Sequence, residues 1–209
     1  ATMDADEMDA VADFCREHDL LVVADEIYAA LTYGDEHQSV ATRPGMRERT
    51  VVINGFSKAY AMTGLRLGYA MGPETAIDAM TKVHQYAMLS APTTAQHAAL
   101  AAIRRCDDEV EQMRREYDRR RRYVVSRLRE LGLEVSEPGG AFYAFPRVAD
   151  AAPDGDARAF ATELLESEGV AAVPGTAFGA GGEGHIRISY ATGLDDLKEA
   201  MARLERFLS

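Results

Sequence analysis

At 209 residues and 47% hydrophobic content, the chain can fill one large or two small cores, which excludes a disordered tail. A net charge of −11 argues against nucleic acid or an anionic membrane as the main partner. The longest apolar runs, such as Leu20 to Ala24, are far too short to span a bilayer, and no basic-then-apolar leader opens the chain. A cytoplasmic protein is therefore expected. Lys58, Lys82 and Lys198 are the lysines, and the rest of the 23 basic residues are arginine. Such an acidic, lysine-poor composition suits a halophilic source, and equally GC-rich coding. Cys15 and Cys106 both fall in helical patterns and read as reduced thiols. His18, His37, His84, His97 and His185 have no metal-ligand spacing, so no metal is expected. A chain that opens on Ala1 without an initiator Met reads as trimmed or as a fragment.

Residues 4–18 read as a helix. Asp4 caps it, Glu7 closes a capping box, and Met3 and Met8 are spaced for a hydrophobic staple. Leu20 to Ala24 is a continuous apolar run, which predicts a strand buried on both faces of a parallel sheet. Thr50 to Asn54 and Leu67 to Met71 read as further strands. Residues 74–88, 93–105 and 107–131 read as helices. In the last, Arg119, Arg120, Arg121 and Arg122 are a solvated face paired with Glu116 and Asp118 more than an anion-binding patch. After Gly132, short strands (133–136, 141–145, 170–173, 185–190) alternate with helices 156–168 and 194–208. Pro138-Gly139-Gly140 and 149–155 are turn or loop material. The two textures predict a first domain over 1–115 and a small α+β domain over 116–209, joined through the long helix.

The strongest chemical signal is the run from Gly55 to Gly68, GFSKAYAMTGLRLG. A strand delivers Ser57-Lys58 into a loop, and Arg66 follows eight residues after the lysine. An amine can link to an aldehyde. A hydroxyl and a guanidinium can hold a phosphate, the arginine as a bidentate fork. Nearby glycines let backbones approach closely. The arrangement suits a phosphorylated aldehyde cofactor, although on local chemistry alone Lys58 fits an ordinary exposed lysine as well. Asp25-Glu26-Ile27-Tyr28 follows the apolar run at Leu20 to Ala24, and strand ends are where open α/β sheets place ligands. Asp25 alone also suits a turn. Arg187, between Ile186 and Ile188, points away from their face, toward either a salt bridge or a ligand. Gly179 to Gly182 reads as a flexible loop. Ser39 has no evident partner.

The lysine segment resembles the signature of the class I/II aminotransferases, pyridoxal-phosphate (PLP) enzymes of fold type I, at every position from Gly55 to Gly68. Two further stretches resemble the same family. They are Asp25 to Tyr28, and VPGTAFG (Val173 to Gly179) followed by GHIRISYA (Gly184 to Ala191). Gly140 to Tyr143 is similar to a family strand, its aromatics read mostly as packing. The resemblance implies an α/β fold in which this chain is the C-terminal half: part of the large-domain sheet, then the small domain. It implies pyridoxal 5′-phosphate linked to Lys58, its phosphate held by Ser57 and Arg66, its ring nitrogen paired with Asp25 and its ring oxygen bonded by Tyr28. Arg187 would bind the substrate carboxylate.

The implied reaction transfers an amino group between an amino acid and a 2-oxo acid, and the downstream stretch resembles the archaeal and bacterial aspartate aminotransferase branch. A homodimer is implied for the intact protein, with Ser90 to Thr94 near the partner's site. The family's preceding half supplies a phosphate loop, a stacking ring and an Asn-Pro motif that this chain lacks, so the chain alone is expected to be inactive. Carbon–sulfur lyases, aminocyclopropane-carboxylate synthases and PLP-responsive transcription regulators share the framework and remain alternatives.

Overall fold

The computed structural model describes residues 2–34 and 36–209. The chain divides into two compact units, Ala1–Arg114 and Arg115–Ser209.

The first unit opens with helix α1 (Ala5–Glu17). Its capping box is formed: the Glu7 N–H donates to Asp4 Oδ1 at 2.9 Å, and the Asp4 N–H donates to Glu7 Oε2 at 2.9 Å. Two of the otherwise orphaned amides of the first turn are satisfied this way. Met3 stays exposed, so the predicted Met3–Met8 staple contributes little. Met8, Ala12 and Cys15, at helical spacing, bury one face of α1 against Val40 and Met46, with Val22 and Ala24 packed alongside.

Strand β1 (Val22–Asp25) runs parallel to β2 (Thr50–Gly55), with Val22 opposite Thr50 and Asp25 opposite Ile53. β3 (Gly68–Met71) pairs antiparallel on the other side of β2, Gly55 meeting Gly68. The sheet is therefore mixed and ordered β1-β2-β3. The expected burial on both faces is not found. Val22 and Ala24 pack against the α1 core, whereas Leu21 is 84% and Val23 69% exposed. Side chains alternate across a sheet, and in this chain α1 and its neighbours cover one face only. Helices α3 (Glu74–Ala87) and α4 (Thr93–Arg105) follow a one-turn helix, α2 (Phe56–Ala59). α4 buries an alanine stripe, Ala95, Ala99 and Ala102.

The long helix α5 (Asp107–Glu130) contains the boundary between the units. In the second unit Val124, Val125 and Leu128 of α5 are buried. β4 (Tyr143–Ala144), β6 (Ile186–Ser189) and β5 (Val173–Pro174) form an antiparallel sheet in the order β4-β6-β5. Helices α6 (Ala157–Glu168) and α7 (Leu194–Leu208) pack together, with Phe160 edge-on to Phe207. The strand expected at 133–136 does not form. Leu133 and Val135 are buried and Glu134 accepts a backbone hydrogen bond from Arg147, so the alternation marks burial without a ladder.

All four arginines of the run are ion-paired: Arg119 and Arg120 to Glu116, Arg121 to Asp118 and Glu137, and Arg122 to Asp118. Hydrogen bonds from Arg119 and then Arg120 hold the Glu116 carboxyl down at about 2. The run is thus a neutralised face and not an anion site. Arg121 differs in being buried, bonded to Asp118 Oδ1 at 2.8 Å, Glu137 Oε1 at 2.8 Å and the Pro138 carbonyl at 3.2 Å. Arg121→Ala is expected to lower unfolding stability by about 3 kcal/mol, because two carboxylates lose their buried counter-charge. Arg122→Ala, at an exposed pair, should change it by less than about 1 kcal/mol. Urea denaturation of both variants checks the contrast; equal effects would contradict it.

Candidate active site

β2 ends at Gly55, and the chain from there to Gly68 forms a closed loop. A Cβ added to Gly55 would lie 2.9 Å from Gly68 Cα and 3.0 Å from the Leu67 carbonyl, so only glycine lets these strands meet this closely. The Phe56 N–H donates to the Leu67 carbonyl at 3.2 Å, and the Gly55 N–H donates to Asn54 Oδ1 at 2.7 Å. Phe56 and Ala59 of α2 are buried, which leaves Ser57 and Lys58 half-buried between them. Lys58 Nζ lies 5.9 Å from the centroid of the Tyr28 ring. The structure therefore brings Lys58 and Tyr28 together from segments 30 residues apart.

Arg66 sits at the far end of the same loop with φ 52°, in the left-handed region that costs a residue with a Cβ some strain. Its Nη1 donates to the Thr63 carbonyl at 2.8 Å, and Thr63 Oγ1 donates to the Ser57 carbonyl at 2.8 Å. Thr63 thus ties the two residues predicted to grip a phosphate. Arg66 itself is exposed, and no ion pair is found for it among the described residues. Asp25 closes β1 on the uncovered face of the sheet. It is exposed, and its Oδ1 accepts from the Ile27 N–H at 3.2 Å.

Next to it, Glu26 bonds Ser39 Oγ and lies 3.2 Å from His37 Nε2. Ser39 thereby gains the partner that the sequence did not reveal. Ser39 Oγ also caps the short turn Val40–Thr42, so this group braces the chain beneath Asp25 and Tyr28. Among the described residues, no group of three or more His, Cys, Asp or Glu could hold a metal ion. Cys15 and Cys106 are free. No helix among them is long and apolar enough to cross a membrane.

In the second unit, Arg187 projects from β6 opposite to the buried Ile186. Its guanidinium carbon lies 4.3 Å from the Tyr143 ring and 4.3 Å from the Phe178 ring. The two glycines of the preceding turn touch: a Cβ on Gly175 would collide with the Gly182 carbonyl. The Gly175 N–H donates to the His185 carbonyl at 2.7 Å. Ala180–Gly182 forms a short 3-10 turn in which Gly182 is buried and Gly179, Ala180 and Gly181 are exposed.

The model of the family "Aminotransferase class I and II" matches residues 1–204. The chain belongs to the class I and II aminotransferases. YugH of Bacillus subtilis, a candidate aminotransferase, is 53% identical over 97% of this chain and 52% of its own length. The aspartate aminotransferase of Pyrococcus abyssi is 47% identical over 97% of this chain and 52% of its own. An aromatic aminotransferase of Pyrococcus horikoshii superposes with a TM-score of 0.95 at 46% identity, covering 99% of this chain and 56% of that one. The chain thus spans about half the length of the relatives it matches. Its fold is that half of a fold type I aminotransferase, and enzymes of this family use pyridoxal 5′-phosphate.

The loop fits that group. It offers one primary amine, the Ser57 hydroxyl, an Arg66 guanidinium tied through Thr63 to the Ser57 backbone, and a glycine pair too tight for any side chain.

Proposed function

We propose that a protein of the relatives' length containing this chain, the full-length protein below, is a cytoplasmic homodimeric aminotransferase of the aspartate type. It exchanges an amino group between an amino acid and a 2-oxo acid. The observation that carries this is the Gly55–Gly68 loop, which presents Lys58 beside Tyr28 and ties Ser57 to Arg66. Pyridoxal 5′-phosphate, when bound, supplies an electrophilic aldehyde on an electron-withdrawing ring.

In this reading Lys58 Nζ would hold the cofactor through its aldehyde, and the lysine amine would be the base that moves the substrate Cα proton. Ser57 Oγ and Arg66 would hold the phosphate. The Asp25 carboxylate would pair with the ring nitrogen, and the Tyr28 hydroxyl would bond the ring oxygen. Arg187 receives the substrate carboxylate as a planar fork. A position like that of Asp25, exposed on an open sheet face, needs further structure to exclude water, so the 209-residue chain alone is proposed to lack turnover.

The test is an assay of the purified full-length protein with L-aspartate and 2-oxoglutarate. Glutamate should accumulate in step with oxaloacetate, and product formation without the 2-oxo acid should stop after about one equivalent per site. Continuous release of ammonia without an acceptor would instead assign a lyase. Cofactor binding with no turnover on any amino donor would assign a sensor.

A further inference from the structure

Arg187 is the half-buried arginine of the second unit that pairs with no acid among the described residues. Its neighbours are two aromatic rings, each with its centroid 4.3 Å from the guanidinium carbon. Tyr143 reaches it across the sheet: Tyr143 lies opposite Ser189, two residues from Arg187 on the same face of β6. Phe178 is carried by the turn that follows β5. That ring is held in turn. Phe145 meets Phe178 edge-on at 6.4 Å, and Phe145 lies flat on His185 at 5.2 Å with 8° between the planes. The His185 ring is anchored by Nδ1 at 2.8 Å from the Glu183 carbonyl. Phe178 is 52% exposed, so hydrophobic burial is a poor account of its place.

We propose that Phe178 and Tyr143 are positioning residues that clamp Arg187, an inference that rests on Arg187 as the carboxylate receptor. Aromatic rings attract a guanidinium over their faces. Two rings this close occupy part of the space around the guanidinium and hold its orientation. A guanidinium held in one orientation favours an in-plane carboxylate, the geometry of a two-bond fork. The clamp also removes most of the rotamer freedom that a long arginine side chain would otherwise lose on binding. It acts on carboxylate binding and leaves the proton transfer at Lys58 alone, so it should appear in KM and not in kcat.

The test uses the full-length protein with L-aspartate and 2-oxoglutarate. Phe178→Leu, which keeps bulk and removes the ring face, should raise KM for both substrates about tenfold with kcat within about threefold. Phe178→Tyr should return KM to within about twofold of the parent, and the cofactor absorbance should be unchanged in both. Tyr143→Leu and Tyr143→Phe provide the same comparison for the other ring, should either Phe178 variant fold poorly. If Phe178→Leu and Tyr143→Leu leave KM unchanged while Arg187→Ala raises it, the clamp is wrong and the receptor stands. If Arg187→Ala also leaves KM unchanged, the receptor reading itself falls. Loss that Phe178→Tyr and Tyr143→Phe both fail to rescue overturns the role assigned to the rings.

Discussion

Lys58→Ala in the full-length protein is expected to lower turnover by roughly 10²–10⁴-fold through loss of the positioned acid–base group alone, and by more because the nucleophile goes with it. The loss should be in kcat, with cofactor still bound through the phosphate contacts of Ser57 and Arg66. Neither contact depends on the lysine side chain, because Thr63 ties the loop through backbone carbonyls. Exogenous amines of small size should restore part of the rate, since a free amine can supply the missing base. Steady-state kinetics with and without methylamine measure both effects. A variant within tenfold of the parent would remove Lys58 from the chemistry.

Arg187→Ala is expected to reduce kcat/KM by about 100-fold, corresponding to about 3 kcal/mol for two charge-assisted hydrogen bonds. The loss should be shared by the amino acid and the 2-oxo acid, because both carry the carboxylate. Arg187→Lys should recover only part of it: an ammonium is a point charge without the fork, and lacks the planar group that stacks on aromatic rings. Cofactor affinity should be untouched, as the cofactor contacts are assigned to Lys58, Ser57, Arg66, Asp25 and Tyr28. Titration with PLP followed by substrate kinetics separates the two. A folded Arg187→Ala protein that no longer binds cofactor would contradict the assignment.

Much of this was readable in the sequence where one residue type has one use. The Asp4–Glu7 capping box followed from spacing and is formed. The Gly55 to Gly68 run was picked out by its resemblance to a family signature, and the close approach of Gly55 and Gly68 shows what those two glycines allow. Every α-helix but the one-turn α2, which falls where a loop was expected, stood within a residue or two of its predicted ends, since amphipathic period and Gly or Pro punctuation agree there.

The sheet was harder. Leu20 to Ala24 is apolar on both faces, but a sequence records what a strand can bury and not what covers it. Within this chain Leu21 and Val23 remain exposed. Residues 133–136 alternate like a strand because Leu133 and Val135 fill the core, yet no neighbour offers a ladder.

The bracing contacts were out of reach for a different reason. Ser39 with Glu26, and Phe178 with Arg187, are pairs set by tertiary placement, and no local pattern marks them. For Phe178 one signal existed: an aromatic left in a glycine-rich turn, where packing offers it little.

The claim on which the rest depends is that Lys58 carries the cofactor. Borohydride reduction of the PLP-loaded full-length protein, followed by peptide mapping, tests it directly. Lys82 is exposed on α3, and Lys198 is exposed on α7 and paired with Asp195 at 2.9 Å. Lys58 alone stands beside Tyr28, on the loop that joins Ser57 to Arg66. The pyridoxyl group should therefore be fixed on the peptide containing Lys58, at close to one per chain, and be absent from the Lys58→Ala variant. Stoichiometric labelling of Lys82 or Lys198, or of a lysine outside this chain, would contradict the account.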